Sequence, residues 1–331
     1  MKKEELKKVF SLFNQFNILV IGDVMIDSYM WGKVERISPE APIPVVSVTK
    51  KENRLGGAAN VALNVKALGA NPIICSVIGN DDKGNEFLQL LNNHGLPTNG
   101  MLQNNDRITT VKTRVISSNQ HLLRVDEETD KNINIEIEAE FIAKIENIIN
   151  TEKIHAIIFE DYDKGAITPL LIQKIVALAN QNKIPTLVDP KKRNFNYYQN
   201  VTLFKPNFKE LVEGLKLDIK KSDNEEIKKA AQRIQNEWNI GNVLITLSEL
   251  GVFISNGKTT HNLPAEIRDI ADVSGAGDTL ISTATLCMAA NLSIFDIATI
   301  SNMAGGLVCE KVGVVPIDKQ LLLNECLKIS E

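Results

Sequence analysis

A chain of 331 residues with 44% hydrophobic and 24% charged side chains has room for a sizeable core and an ordinary globular composition, which excludes a disordered, collagen-like or disulfide-framed chain. Its 37 Lys and Arg against 41 Asp and Glu leave a formal charge of −4, so no global positive field exists to hold nucleic acid or an acidic membrane surface, and any anion must be bound locally. The 4 cysteines form no C-x-x-C pair and the 4 histidines no H-x-x-H or H-x-x-x-H pair, which argues against structural zinc and for buried thiols in a reducing, cytoplasmic setting.

Residues 1–16 place Leu6, Val9, Phe10 and Phe13 at helical spacing among charges, without the continuous apolar core of a secretion signal. The most apolar window, residues 280–290, is shorter than the about 20 residues that a bilayer span needs. NILVIGD (17–23) is an apolar run closed by a turn and predicts a strand buried on both faces. After the glycine pair at 56 and 57, Val61, Val65 and Leu68 recur at helical spacing until Gly69 stops them. PIICSVIG then predicts a strand and GNEFLQLLNNHG a helix. Ile137, Phe141 and Ile145 share a helix face, IHAIIFED is a strand, TPLLIQKIVALANQN a helix, and IPTLVDP, VTLFKPN and NVLITLSELG are strands. The charged run 216–229 is the solvated face of a helix. This alternation predicts an α/β chain whose mostly parallel sheet is covered on both faces, and with no long linker or repeat the expectation is one domain over 1–331.

Two stretches break the rhythm. Residues 28 to about 55 and 107–125 alternate apolar and polar positions with no useful helix between, which predicts antiparallel strands inserted between the βα units. Beside the carboxyl ends of the parallel strands they would make a lid; ordinary surface hairpins are the local alternative.

The segment most informative about chemistry is DVSGAGDTL (272–280), which runs into a helical apolar stretch. Ser274, Gly275, Ala276 and Gly277 are small enough for backbone amides to converge at a helix N-terminus and hold a phosphate, and Asp278 beside them could accept a hydroxyl proton. Taken alone, the turn is equally a tight strand-to-helix connection. GGAAN (56–60) also opens a helix: Gly56 and Gly57 would let backbone approach a ligand, and Asn60 offers a donor and acceptors to hydroxyls. Asp23 and Asp27, at the end of the first strand, suit a hydroxyl-rich ligand or cap a turn. Neither a P-loop nor a dinucleotide fingerprint is present.

GGAAN in the first third and DVSGAGD near the end, in that order, resemble the ribokinase-like (PfkB) carbohydrate kinases over essentially the whole chain. A narrower resemblance rests on GDVMIDSYMWGKVERISPEAPIPVV, GGAANVALNVKALGA, SNQHLLRVDEE, EDYDKG, VDPKKRNFNYY, KPNFKELVE and ITLSELG. These are similar to the kinase half of the bifunctional heptose enzymes of lipopolysaccharide synthesis, which act on D-glycero-β-D-manno-heptose 7-phosphate. The resemblance implies a three-layer αβα fold with a mostly parallel central sheet and a small β-strand lid, with ATP and Mg2+ as cofactors and a homodimer formed through the lid. The bifunctional relatives add a nucleotidyltransferase with an H-x-G-H-type motif, which this sequence lacks, so a stand-alone kinase or an isolated kinase module is expected.

Carried over position by position, the resemblance makes Asp278 the catalytic base and the amides of Gly275, Ala276 and Gly277 its anion hole. Asp23, Asp27, Gly56, Gly57 and Asn60 are expected at the sugar, with Asp161 of EDYDKG and Asp189 of VDPKK in the matching segments. Lys112, Arg114, Arg124, Lys164 and Lys191 are the cations from which a substrate phosphate would be served, since a phosphate demands convergent positive groups. Asn207 and Glu210, the N-x-x-E of KPNFKE, would organise magnesium through water; their local alternative is an N-cap with its capping-box partner. Thr246, Ser248 and Gly251 match the nucleotide loop T-x-G-x-x-G, in which Ser248 replaces the first glycine, and Asn302 matches the helix bordering the adenine. Whether Asp272 and nearby carbonyls hold a monovalent cation such as K+ is left open by the resemblance.

Overall fold

The computed structural model describes residues 1–118, 120–266 and 268–329, so Asn119 of SNQHLLRVDEE lies outside the described residues. Helix α1 (Lys3–Leu12) leads into strand β1 (Asn17–Gly22), which continues through Asp23 into β2 (Val24–Ile37) and returns along β3 (Pro44–Gly57). Then come α2 (Ala58–Ala67), β4 (Asn71–Gly79), α3 (Asp82–Asn93), β5 (Met101–Asn104), β6 (Val111–Ser117) and β7 (Gln120–Glu127). The second half runs α4 (Ile135–Thr151), β8 (Ala156–Glu160), α5 (Pro169–Gln181), β9 (Thr186–Asp189), β10 (Leu203–Phe204), α6 (Phe208–Leu215), α7 (Asn224–Trp238) and β11 (Asn242–Thr246). An edge hairpin, β12 (Val252–Ser255) and β13 (Thr260–Leu263), precedes α8 (Ala276–Ala289), α9 (Ile294–Cys309) and α10 (Lys319–Ile329).

Among the described residues the main sheet has nine strands in the order β13-β12-β11-β10-β9-β8-β1-β4-β5. Every pairing from β11 to β5 is parallel, and only the β11–β12 and β12–β13 pairings at one edge are antiparallel, so that β12 alone runs against the rest. Alternation along the strands builds two cores. Ile18, Val20, Ile158 and Leu244 point to one side, where they pack with α1, α2, α3, α8, α9 and α10. Leu19, Ile21, Phe159 and Ile245 point to the other, against α4, α5, α6 and α7. A strand with both neighbours of every residue buried has no polar face, which is why these segments read as continuous apolar runs. All four cysteines are buried.

The second sheet has the order β3-β2-β6-β7. The β2–β3 and β6–β7 pairs are antiparallel as expected, but β2 and β6 pair in parallel, which corrects the all-antiparallel reading. The chain reaches β6 by way of α2, β4, α3 and β5 rather than by a hairpin turn, and this detour fixes the parallel direction. Register sorts the two faces. Asp27 lies beside Arg54 and Lys112, and Tyr29 beside Glu52 and Arg114, with Arg124 next across. These share one face, while Met30, Val115 and Leu123 share the other. No described helix is long and apolar enough to cross a membrane.

Other differences are local. NVLITLSELG stops as a strand at Thr246 because a 3-10 turn at Ser248–Leu250 follows, and β10 keeps only two residues. Within 216–229 the helix begins at Asn224, capped by Asp223, whereas Lys216 sits in a left-handed conformation that ends α6.

Candidate active site

The parallel strands end along one edge of the main sheet, and there the side chains that follow them converge. Asp23 follows β1, Glu160 closes β8, Asp189 closes β9, and Lys205 follows β10. The N-terminus of α8 is set against this edge. Gly275 starts the helix at φ 79°, a left-handed conformation that suits glycine. A Cβ added at Gly277 would lie 3.7 Å from both Asp189 Oδ2 and Lys205 Nζ.

Asp278, in the first turn of α8, is buried. Its Oδ2 accepts from Asn60 Nδ2 at 2.6 Å, and its Oδ1 from the Tyr162 hydroxyl at 3.0 Å. Asn60 is on α2, so the glycine pair that opens that helix and the glycine-rich turn that opens α8 are brought together here. Burial, reinforced by the charge of Asp189, pushes the Asp278 pKa up against the donors. A carboxylate with raised basicity at a helix N-terminus can take a proton from a hydroxyl. Of the three expected anion-hole amides, that of Ala276 makes a long 3.3 Å bond to the Val273 carbonyl.

Lys205 is buried and pairs with Asp189 at 2.7 Å. Burial alone would depress its pKa, but Asp189 and Glu210 outweigh that and hold the ammonium charged. Glu160, fully buried beside them, has its pKa pushed well up by burial and by the charges of Asp189 and Asp278, and its Oε2 has no hydrogen-bond partner. Lys191 reaches Glu210 on the same side.

Asn207 caps α6: its side chain accepts from the Glu210 amide at 2.8 Å, and Glu210 Oε2 accepts from the Asn207 amide at 2.8 Å. This is the capping box that local sequence offers as the alternative to a metal role, and Glu210 adds to it the ion pair with Lys191. Since both Glu210 oxygens already have partners, the pair would hold a metal ion through water rather than as direct ligands. Among the described residues no three His, Cys, Asp or Glu side chains gather into a metal cluster. Asp272 accepts from the Ser274 and Gly313 amides, each at 2.9 Å, which ties the glycine-rich turn to the loop after α9.

Thr246 ends β11 beside Asn207, and Ser248 takes φ 53°, the conformation for which the wider motif uses glycine. Asn302 Nδ2 donates to the Pro264 carbonyl at 2.9 Å, fixing α9 to the segment that follows β13.

Several residues expected at the sugar already have partners within the protein. Asp23 accepts the backbone amides of Tyr162, Lys164 and Ala166 at 2.9–3.0 Å, so both its oxygens organise the loop after β8. Asp161 accepts from Asn194 Nδ2 and the Tyr198 hydroxyl, both at 2.9 Å, and from the Asp163 amide; burial and the nearby Asp23 push its pKa up to about 7. Both carboxylates are thus held by partners within the protein, and Asp189 is likewise engaged, by Lys205 at 2.7 Å.

The expected cations do not form one cluster. Arg114 pairs with Asp27 at 2.6 Å and lies over the Tyr29 ring. Lys112 and Lys164 share Glu128, at 3.3 and 2.8 Å. Arg124 is exposed and bonds Asp126, and Lys191 belongs with Glu210. Sequence reasoning missed Arg107, whose guanidinium donates to the Lys164 carbonyl at 2.7 Å while its buried Nε has no partner. It also missed Tyr162, Lys205 and Glu160; the only signal was their place at the ends of predicted strands.

Comparison with known proteins agrees with this geometry. Residues 15–320 match the model of the pfkB family carbohydrate kinases. The bifunctional protein HldE of Geotalea uraniireducens (strain Rf4) is 36% identical over 329 residues, 98% of this chain and 66% of that protein. HldE of Helicobacter pylori (strain J99) is 39% identical over 297 residues, 89% of this chain and 63% of that protein. The chain thus spans just under two thirds of the length of these relatives. Phosphofructokinase-2 from Escherichia coli, solved in complex with substrates and products, superposes with a TM-score of 0.77 at 20% identity, covering 94% of this chain and 99% of that one. Arabidopsis thaliana ribokinase, solved with ribose and ATP, gives 0.72 at 16%, covering 95% and 99%. These two share the ribokinase-like fold, and the family match carries that fold to a chemistry: the chain belongs to the pfkB family of carbohydrate kinases and is an ATP-dependent sugar kinase.

Proposed function

We propose that this kinase transfers the γ-phosphoryl group of ATP to the anomeric hydroxyl of D-glycero-β-D-manno-heptose 7-phosphate, giving the 1,7-bisphosphate and ADP, as a cytoplasmic step toward a lipopolysaccharide core precursor. The observation that carries the reading is Asp278, buried at the start of α8 with both oxygens oriented by donors. Asp278 takes the proton of O1, while the amides at the start of α8 and the Lys205 ammonium stabilise the charge that develops. When bound, ATP would supply the phosphoryl group and magnesium would offset the negative charge of its phosphates. Asn207 and Glu210 position the hydrated metal, and Thr246, Ser248, Gly251 and Asn302 border the nucleotide. Asp27, Gly56, Gly57 and Asn60 face the sugar.

The similarity to HldE proteins over nearly the whole chain supports the heptose, and the cations Lys112, Arg114 and Lys164 around Asp27 and Glu128, with Arg107 against the Lys164 carbonyl, support a phosphorylated substrate. Asp272 and its loop are the place to test for K+, since Escherichia coli phosphofructokinase-2 was solved with potassium. The second sheet closes over the site as a lid and joins two copies, its apolar face carrying exposed Leu123 and Val125.

An ADP-release assay over heptose 7-phosphate, heptose, fructose 6-phosphate and ribose tests the reading. Two charge-assisted contacts at about 1.5–3 kcal/mol each should favour heptose 7-phosphate over heptose at least about a hundredfold in kcat/KM, and Arg107→Ala should erode that ratio without weakening ATP binding. Preference for ribose or fructose 6-phosphate would replace the substrate and leave the kinase.

A further inference from the structure

We propose that Tyr162 is a positioning residue for the base: its hydroxyl and the Asn60 amide together lock the Asp278 carboxylate in the orientation that receives the sugar hydroxyl proton. The proposal rests on the reading of Asp278 as base.

Tyr162 lies just past β8, in the loop pinned to Asp23 by three backbone bonds, one of them from its own amide at 2.9 Å. The Lys191 ammonium sits 5.4 Å from its ring centroid, so the ring is held by backbone on one side and a cation on the other. Its hydroxyl reaches Oδ1 of Asp278 at 3.0 Å while Asn60 takes Oδ2. Each carboxylate oxygen therefore answers to a different element, and rotation about the Cβ–Cγ bond breaks both bonds at once.

The groups facing Asp278 are Tyr162 and Glu160 from β8 and its loop, Asp189 from β9, Lys205 after β10 and Asn60 from α2. Burial, then the charges of Asp278, Glu160 and Asp189, push the Tyr162 pKa well up, so its hydroxyl remains a donor over the working range. A donor to the charged form lowers the basicity of the carboxylate. Loss of the hydroxyl should thus leave Asp278 more basic yet less well aimed. A purely structural tyrosine would do neither.

The direct experiment labels aspartate side-chain carboxyls with carbon-13 in the full chain and follows the Asp278 resonance, assigned by its disappearance in Asp278→Asn, across pH. Tyr162→Phe should raise its midpoint by about one pH unit. Replacing Tyr162 by 3-fluorotyrosine, a stronger donor of the same shape, should lower it and keeps the test available if the phenylalanine variant folds poorly. With heptose 7-phosphate and MgATP, the acid limb of kcat in Tyr162→Phe should move up with the midpoint, and plateau kcat should fall roughly tenfold with sugar KM within about twofold. An unmoved midpoint in both variants, or an effect confined to KM, would overturn the positioning role. Turnover by Asp278→Asn would instead overturn the base itself, so the two failures are distinguishable.

Discussion

At the residue scale, the site concentrates acidic groups where phosphate must enter, and this has measurable costs. Asp278→Asn keeps the shape and the bond to Tyr162 but cannot accept a proton. Its kcat should fall by about 10² to 10⁴ while MgATP binding by calorimetry persists; activity within threefold of the parent would remove Asp278 from the chemistry. Glu160 is the second case. Its pKa is raised well above the ordinary 4.5 by burial and by Asp189 and Asp278. A carboxyl of that kind binds its proton more tightly in the folded than in the unfolded chain, so the stability it contributes is fully present below 4.5 and is lost as pH rises through the folded value. Glu160→Gln should therefore raise Tm at pH 8, by about 2 °C for each kcal/mol relieved, and the gain should vanish near pH 4.5. Calorimetric scans at the two pH values decide it, since an equal difference at both would mean that charge is not what the substitution removes.

At the scale of elements, the turn between β11 and β12 shows how a motif can change a residue and keep its geometry. Ser248 holds φ 53° and Gly251 φ 88°. A Cβ at Gly251 would lie 2.0 Å from the Leu263 carbonyl on the neighbouring strand. Gly251→Ala should destabilise the protein by more than about 1 kcal/mol in urea melts. Ser248→Gly should change stability by less than about 1 kcal/mol, because relief of the left-handed serine is offset by the freer unfolded glycine. The same region marks where sequence reading weakens. β1, β4 and β8 are legible because residues buried on both faces leave long apolar runs. The two-residue β10 is set by its neighbours on either side, and the β12–β13 edge hairpin has too few residues to establish a period.

At the scale of the whole molecule, the site was legible where glycines and acids cluster and obscure where one residue acts alone. Asn60 and Asp278 stand 218 residues apart, yet both motifs announce themselves, because amides need small neighbours to converge. Tyr162, Lys205 and Arg107 carry no such signature; their roles come from sheet order, which local pattern does not contain. The parallel β2–β6 pairing escaped for the same reason, since strand direction depends on the path between the strands. Assembly is testable at this scale. If the second sheet joins two copies, the parent should elute as a dimer in light scattering, and Leu123→Lys should shift it to monomer; a parent that is monomeric at tens of micromolar would discard the lid-to-lid contact.

The loop after α9 is gripped from two directions. Asp272, at the head of the glycine-rich turn, holds the Gly313 amide, while Arg54, near the end of β3, reaches the Val314 carbonyl at 3.5 Å. Arg54 also lies over Tyr29, next on the same face to Asp27. One short loop is thus a pin shared by the glycine-rich turn and the end of β3. A slackening at either end, by Arg54→Ala or by Asp272→Asn, should be felt at the other as faster amide exchange, so that two segments far apart in sequence answer to a single span of backbone.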